Sequence, residues 1–393
     1  MRENKKNICV IVHNYFPYTE TRVLRQVESL KALYNVDIIC LKKNDDKQFE
    51  RFNGLNIYRI PVKYKRSLLL FRLVNVLHFF ILAYFKLNGL SRKINYSVVH
   101  IHTHINFLVF IGIKQKIKGV PLILDMHDLL PEFFQGRFQN SFFKSLYRLA
   151  YIEESISCHF ADHIIVVTTE AKEALIQRKI KSEKLNVIMN LADNKKFSKV
   201  DVNRKSATIG LDLLYYGSLI WFYGIDVAIK GVSLAIKTCE KVTLSVYGAG
   251  HQKEYLIDLV ERLHLNDNVF IKDPIPPEEI RLLIDQNVVG ILPSVFNKHT
   301  EVQLPTKLLE YASMEIPVLC SRIPILETYF NSDLVEYFKS GSPVDFSRAI
   351  QHLCNSQKRK TELSKKIALF NKKYNWAKEE RKLLSIYEGI ANT

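Results

Sequence analysis

Short apolar runs alternate along this chain with stretches whose apolar residues recur every third or fourth position, almost from end to end. Residues 7–12 are the first such run. Pro17 breaks the chain after it, Thr19 or Thr21 offers an N-cap, and Val23, Leu24, Val27 and Leu30 form an apolar helical stripe. Residues 35–41 read as the second strand, and 96–105 and 120–124 as further strands. A long helix is predicted over 141–160, then a strand running into a helix capped by Thr168 or Thr169, and 185–197 closes the first half. Polar residues 195–206 suit a linker.

The pattern then repeats. Strand 211–216 meets Gly217, a loop and a helix from Gly224, and strand 242–247 ends in Gly248-Ala249-Gly250 ahead of another helix. Residues 268–273 are a strand, and Pro276-Pro277-Glu278-Glu279 opens a helix, with proline at its start and acids in its first turn. Residues 288–292 form a buried strand, the chain turns polar and irregular over 294–303, and Pro305 opens an amphipathic helix over 306–313. Another strand follows at 316–320, a short one at 335–338, and a helix over 370–390 containing Trp376, Leu383, Leu384, Ile386 and Tyr387. Strand–helix alternation in both halves makes the fold class α/β, with two Rossmann-like domains. The expected boundaries are 1–197, a linker over 198–208, a second domain over 209–370 and a terminal helix over 371–393.

Residues 60–93 are the most apolar stretch, flanked by Lys63, Lys65 and Arg66 before and Lys86, Arg92 and Lys93 after. Arg72, Asn75 and His78 interrupt it, which argues against a membrane-spanning helix. A half-buried helix pair and an amphipathic surface docking on anionic lipid remain, and charge favours the second. Residues 1–200 carry 32 Lys and Arg against 17 Asp and Glu, whereas 201–393 carry 24 against 23, so the net +16 belongs to the first half. An anionic membrane explains such a surface. Nucleic acid does not, because no binding module and no aromatic–basic strand platform accompanies the charge. Six scattered cysteines without CxxC pairing suit buried thiols in a reducing compartment. The opening apolar run is too short for the core of a signal peptide.

Candidate chemistry gathers at strand ends. His100, His102 and His104 lie on one face of their strand, but side chains from one strand point in parallel and converge poorly on a metal ion. Asp125, His127, Asp128 and Glu132 cluster after the 120–124 strand, where they serve either as turn caps or as ligand-binding groups. Lys307 and Glu310 sit on the helix opened by Pro305, whose first residue is Thr306. A ligand at the carboxyl end of the preceding strand would meet that helix start.

The run PTKLLEYASMEIPVLCS closely resembles the C-terminal signature of retaining, nucleotide-sugar-dependent glycosyltransferases of family 4, as found in bacterial surface-polysaccharide synthesis. The first loop, around FPYTETR, and the exit strand LNVIMNLAD resemble that family too. The resemblance implies two Rossmann-like domains facing across a cleft (the GT-B fold), with a terminal helix crossing back onto the first. It implies that Glu310 holds the donor ribose, and that Glu301 is the displaced first member of the family's glutamate pair, nine residues earlier rather than eight. It sets His127 against the donor sugar, with Glu132 or Asp128 orienting that imidazole or binding the acceptor, and His102 or His104 near the cleft. Gly217, Ser218, Gly248, Gly250 and Thr306 would border the nucleotide. The family's usual arginine and lysine around the first loop of the second domain are here Ser218 and Tyr223, so Lys307 and Arg22 become the candidate diphosphate cations. The implied reaction is metal-independent transfer with retention, from a nucleotide diphosphate sugar to a lipid-linked or polysaccharide acceptor at the inner membrane face. No further cofactor is expected. Two other readings stay open: an inactive GT-B scaffold and a nucleotide-sugar epimerase.

Overall fold

The computed structural model describes residues 5–18, 21–43, 45–62, 69–137, 144–194, 196–200, 210–239 and 241–391. Thr19, Lys63, Lys65, Arg66, Lys195 and residues 201–208 of the expected linker lie outside them. The chain divides into two compact units, one built from Met1–Phe134, Phe138–Asn190 and Trp376–Thr393, the other from Gln135–Arg137 and Leu191–Asn375.

The first unit runs β1 (Asn7–Val12), α1 (Thr21–Leu30), β2 (Asn35–Leu41), β3 (Phe49–Phe52), β4 (Leu55–Ile60), α2 (Leu69–Leu90) and β5 (Tyr96–Thr103). A 3₁₀ segment, Asn106–Gly112, leads into α3 (Ile113–Ile117), then β6 (Leu122–Met126), α4 (Leu130–Arg137), α5 (Lys144–Phe160), β7 (His163–Val166), α6 (Thr169–Gln177) and β8 (Leu185–Val187). The sheet order is β3-β4-β2-β1-β5-β6-β7-β8, parallel throughout except for β3 against β4. That hairpin turns on Asn53 and Gly54, both at positive φ (49° and 83°), the conformation a tight two-residue turn demands. Its signal is Asn-Gly between apolar residues, which a search for apolar runs alone passes over. Thr168 caps α6 by accepting from the Ala171 amide at 3.1 Å.

The second unit runs β9 (Leu211–Ser218), α7 (Ile225–Ala235), β10 (Val242–Ala249), α8 (Lys253–Arg262), β11 (Val269–Lys272), α9 (Pro277–Ile280) and β12 (Val288–Leu292). It continues with α10 (Lys298–Val302), α11 (Thr306–Ser313), β13 (Val318–Arg322), α12 (Pro324–Tyr329), β14 (Glu336–Lys339), α13 (Pro343–Asn355) and α14 (Gln357–Lys373). Its six strands are parallel, in the order β11-β10-β9-β12-β13-β14. In both sheets the chain moves outward one way from the first strand and then returns to its other side. The direction reverses between β1 and β5 and between β9 and β12, the positions where open parallel sheets bind ligands.

Three expectations need correction. The apolar stretch is one helix, α2, not a pair, and by length and composition it is the one described helix apolar enough to cross a membrane. Val76, Phe79, Ala83 and Leu87 turn one side of it into the unit, while Leu73, Val74, Leu77, Ile81 and Phe85 are exposed on the other. The region 294–303 is not wholly irregular, because Asn297 accepts from the His299 and Thr300 amides and caps the short α10. The helix expected over 370–390 breaks at Tyr374, whose backbone is extended. Beyond the break, α15 (Trp376–Ala391) belongs to the first unit. Leu383, Ile386, Tyr387 and Ile390 there join the core formed by Ile8, Val10, Val27 and Leu30. Glu379 accepts from the Met189 amide at 2.9 Å, and the Trp376 indole donates to Ser29 Oγ at 3.1 Å.

Candidate active site

In the second unit the switch point is bordered by the end of β9 and by α11, the second helix after β12. Proline at its N-cap starts α11, and Leu308, Leu309, Tyr311 and Ala312 bury one face of it. Tyr311 donates to the Leu214 carbonyl at 2.8 Å, which pins the helix to β9. The opposite side presents Lys307 and Glu310, three residues apart. The Lys307 ammonium lies over the Tyr223 ring at 4.6 Å and the Tyr215 ring at 5.2 Å, and it makes no ion pair among the described residues. Burial pulls its pKa down, against the pull of Glu310. Gly217 lies directly beneath it: a Cβ there would overlap the Lys307 stem. Glu310 accepts a 2.7 Å hydrogen bond from Tyr216, and burial raises its pKa while Tyr216 and Lys307 lower it. The result is a fixed, half-desolvated cation with a held carboxylate one turn further on.

The neighbouring candidates divide. Ser218 is exposed at the tip of β9 and Thr306 is exposed at the first turn of α11, so both border this place. Gly248 and Gly250 serve the protein's own backbone. A side chain on either would strike the Gly217 or Leu219 carbonyl, so they let β10 close against the end of β9. Glu301 is carried on α10, partly exposed and paired with Lys298 at 2.9 Å.

In the first unit the histidines and acids form one buried cluster. Asp125, fully buried on β6, accepts from Arg22 Nε (3.1 Å) and Nη2 (3.0 Å) and from Gln26 Nε2 (2.8 Å), both on α1. Desolvation raises its pKa, but Arg22 and the neighbouring imidazoles together hold it well below the usual carboxylate range. His100 and His102 stack on β5 with ring centroids 4.1 Å apart. His102 Nδ1 is 3.4 Å from Asp125 Oδ2 and 3.4 Å from Nε2 of His127, which lies just past β6 and is partly exposed. Burial above all, with His104 nearby, lowers the His127 pKa to about 3.

Arg22, buried and paired in this way, is therefore not the diphosphate cation expected of it. Its third contact, Nη1 to the Ile188 carbonyl at 2.9 Å, completes a guanidinium spent inside the unit. Nor does Glu132 orient His127, since Arg178 holds it together with Glu154. Asp128 meets His104 at 3.2 Å and also lies close enough to His127 for its charge to oppose the lowering of that imidazole's pKa. Ligand atoms of His100, His102 and Asp125 do approach within 4.8 Å of one another, closer than parallel strand side chains alone would allow, because Asp125 comes from the next strand. Arg22 already occupies the carboxylate a metal ion would need, so these residues do not fit one. The Arg22–Asp125 pair and the cage of Tyr215, Tyr216 and Tyr223 were not foreseen. A lone acid inside an apolar strand was the available signal for the pair, since buried charge requires a partner.

Residues 19–196 match the model described as Glycosyltransferase Family 4, and residues 201–369 match that of Glycosyl transferases group 1. Sucrose-phosphate synthase from Thermosynechococcus elongatus superposes at a TM-score of 0.75, with 15% identity over 98% of this chain and 100% of that one. An Anabaena protein, HepE, solved with UDP-glucose, superposes at 0.72, with 14% identity over 97% and 99%. The chitobiosyldiphosphodolichol beta-mannosyltransferase of the yeast Debaryomyces hansenii is 25% identical over 285 residues, 66% of this chain. That match spans 60% of the yeast protein's length. Two family models in tandem, on two parallel sheets with the GT-B architecture of these structures, make the chain a family 4 glycosyltransferase.

Proposed function

We propose that this protein moves a sugar from a nucleotide diphosphate donor to a lipid-linked or polysaccharide acceptor at the inner face of the cytoplasmic membrane, with retention and without a metal ion. The observation that carries the donor half is the Lys307 ammonium held over Gly217 by two tyrosine rings, with Glu310 one turn away. A diphosphate needs a cation already placed and poorly hydrated, and a ribose diol needs a carboxylate acceptor held still. Lys307 and Glu310 supply these, while Ser218, Thr306 and the α11 amides border the phosphates. Lys307 thereby stands in for the pair replaced by Ser218 and Tyr223. Glu301 would meet the donor sugar, and the neutral imidazole of His127 would hydrogen-bond a sugar hydroxyl as the anomeric bond breaks. In that step the anomeric carbon–diphosphate bond breaks, the acceptor oxygen bonds the same face, and its proton passes to the departing phosphate oxygen.

The acceptor half rests on the exposed side of α2 and on Leu149, Ile152 and Ile156 of α5, two helices that both pack against the Asn106–Gly112 segment. Exposed Arg92, Lys93, Lys114 and Arg148 accompany these apolar residues, the composition of a surface that rests on anionic lipid. The yeast relative's name specifies a lipid-linked acceptor, which agrees, and a beta linkage, which makes the anomeric outcome a necessary measurement.

Calorimetric titration with UDP, GDP, ADP and CDP tests the donor site. One of them should bind the wild type, with affinity reduced roughly 10- to 100-fold in Lys307→Ala, the worth of a charge-assisted contact, and reduced again in Glu310→Ala. Silence across the panel would favour the inactive scaffold. Conversion of a nucleotide sugar without acceptor would make the protein an epimerase, and NMR of the product anomer decides retention.

A further inference from the structure

We infer that Tyr216 is a positioning residue for the donor. Its hydroxyl holds the Glu310 carboxylate away from Lys307, so that the ammonium stays open to a diphosphate and the carboxylate to a ribose. Lys307 and Glu310 lie three residues apart on α11, the spacing at which a lysine and a glutamate on one helix ordinarily meet. Such a pair would spend each charge on the other before any ligand arrived. Here neither makes an ion pair among the described residues, although each still feels the other's charge.

Tyrosines on and just after β9 account for the separation. Tyr215 and Tyr223 draw the ammonium over their rings, at 5.2 and 4.6 Å, across the bare face of Gly217. Tyr216 donates to Oε2 of Glu310 at 2.7 Å. Two successive residues of one strand thus serve opposite charges. Tyr216 is itself fixed: it is buried, its ring meets Tyr311 edge-on at 5.3 Å and lies nearly parallel to Phe197 at 6.5 Å. Burial and the neighbouring carboxylate both keep the phenol in its protonated, donating form. A largely desolvated carboxylate keeps the donor it has, because losing it would leave the charge without a partner. Oε1 accepts from no described residue and Glu310 is partly exposed, so that oxygen is left for a ribose hydroxyl. This role of Tyr216 rests on the reading of Lys307 and Glu310 as the donor site.

Tyr216→Phe removes the hydroxyl and keeps the ring against Tyr311 and Phe197. Without its donor, Glu310 turns to the nearest cation, Lys307, and both groups are lost to the nucleotide. In calorimetric titration with UDP, GDP, ADP and CDP, Tyr216→Phe should bind the wild type's nucleotide roughly tenfold more weakly, the worth of a hydrogen bond to a charged group. Its melting temperature should not change. The 2′-deoxy and 3′-deoxy forms of that nucleotide give a second readout. At least one should bind the wild type several-fold more weakly than the ribonucleotide, and in Tyr216→Phe this preference should vanish. With Glu310→Ala already in place, Tyr216→Phe should cost nothing further. Additive losses, a wild type without ribose preference, or a preference unchanged in Tyr216→Phe overturns the proposal. If no nucleotide binds the wild type, the donor-site reading fails, and a crystal structure of Tyr216→Phe still decides what the hydroxyl does. Glu310 paired with Lys307 there bears the separation out, and Glu310 unmoved overturns it.

Discussion

Gly217 sits at φ 125°, and the Lys307 stem runs through the space a Cβ would fill. A side chain there costs twice, in backbone strain and in displacing the cation from its two tyrosine rings. Gly217→Ala should therefore weaken nucleotide binding by at least tenfold in calorimetry, about as much as losing the ammonium, although the glycine itself offers a ligand nothing. Ser218→Ala, at an exposed neighbour, should change affinity less than threefold. At this scale the sequence spoke unevenly. Lys307 and Glu310 were recognisable because their helix carries its own start signal and a strong family pattern. The fate of Arg22 was hidden, because whether an arginine on an amphipathic helix faces solvent or a buried acid depends on Asp125, some hundred residues away. Local periodicity contains no such information.

The helix α2 shows what an element can reveal beyond its residues. One stripe is anchored by Val76, Phe79, Ala83 and Leu87, and the other leaves Leu73, Leu77, Ile81 and Phe85 in water. Exposed apolar surface on this scale is kept for contact with something apolar. Replacing Leu77 and Ile81 together by glutamate should reduce sedimentation with phosphatidylglycerol vesicles several-fold, without changing nucleotide affinity or melting temperature. Unaltered sedimentation would remove α2 from the membrane contact. Most parallel strands were legible to within a residue or two, because strands buried on both faces are uninterrupted apolar runs. The elements that escaped include short or polar ones, the β3–β4 hairpin, α4 and α10, and also the longer helices α13 and α14, whose caps Ser342 and Ser356 went unread. Their signals lie in single turn and cap residues such as Asn53, Gly54 and Asn297.

At the scale of the whole molecule, five histidines of the first unit, His13, His100, His102, His127 and His163, have pKa values lowered by burial. A folded-state pKa below the unfolded value of 6.5 gives stability that is present above pH 6.5 and is lost as pH falls toward the folded value. For His13 and His127, at about 4 and about 3, the loss by pH 5 is on the order of 2 kcal/mol each. Acid should accordingly destabilise the first unit. The two tryptophans can report this separately, since Trp376 lies in the first unit and Trp221 in the second. In Trp221→Phe, where Trp376 alone reports, the fluorescence transition should move to lower denaturant between pH 7 and pH 5, and an unmoved transition would count against this linkage. The same division of the chain governs synthesis. The second unit is nearly continuous in sequence, whereas the first is left incomplete at Asn190 and finished only by α15. At ribosomal speeds those intervening residues take about 10 to 40 s to make. For that interval the face of α1 and β1 that will receive Tyr387 stands open on the nascent chain, so the half made first is the half that folds last.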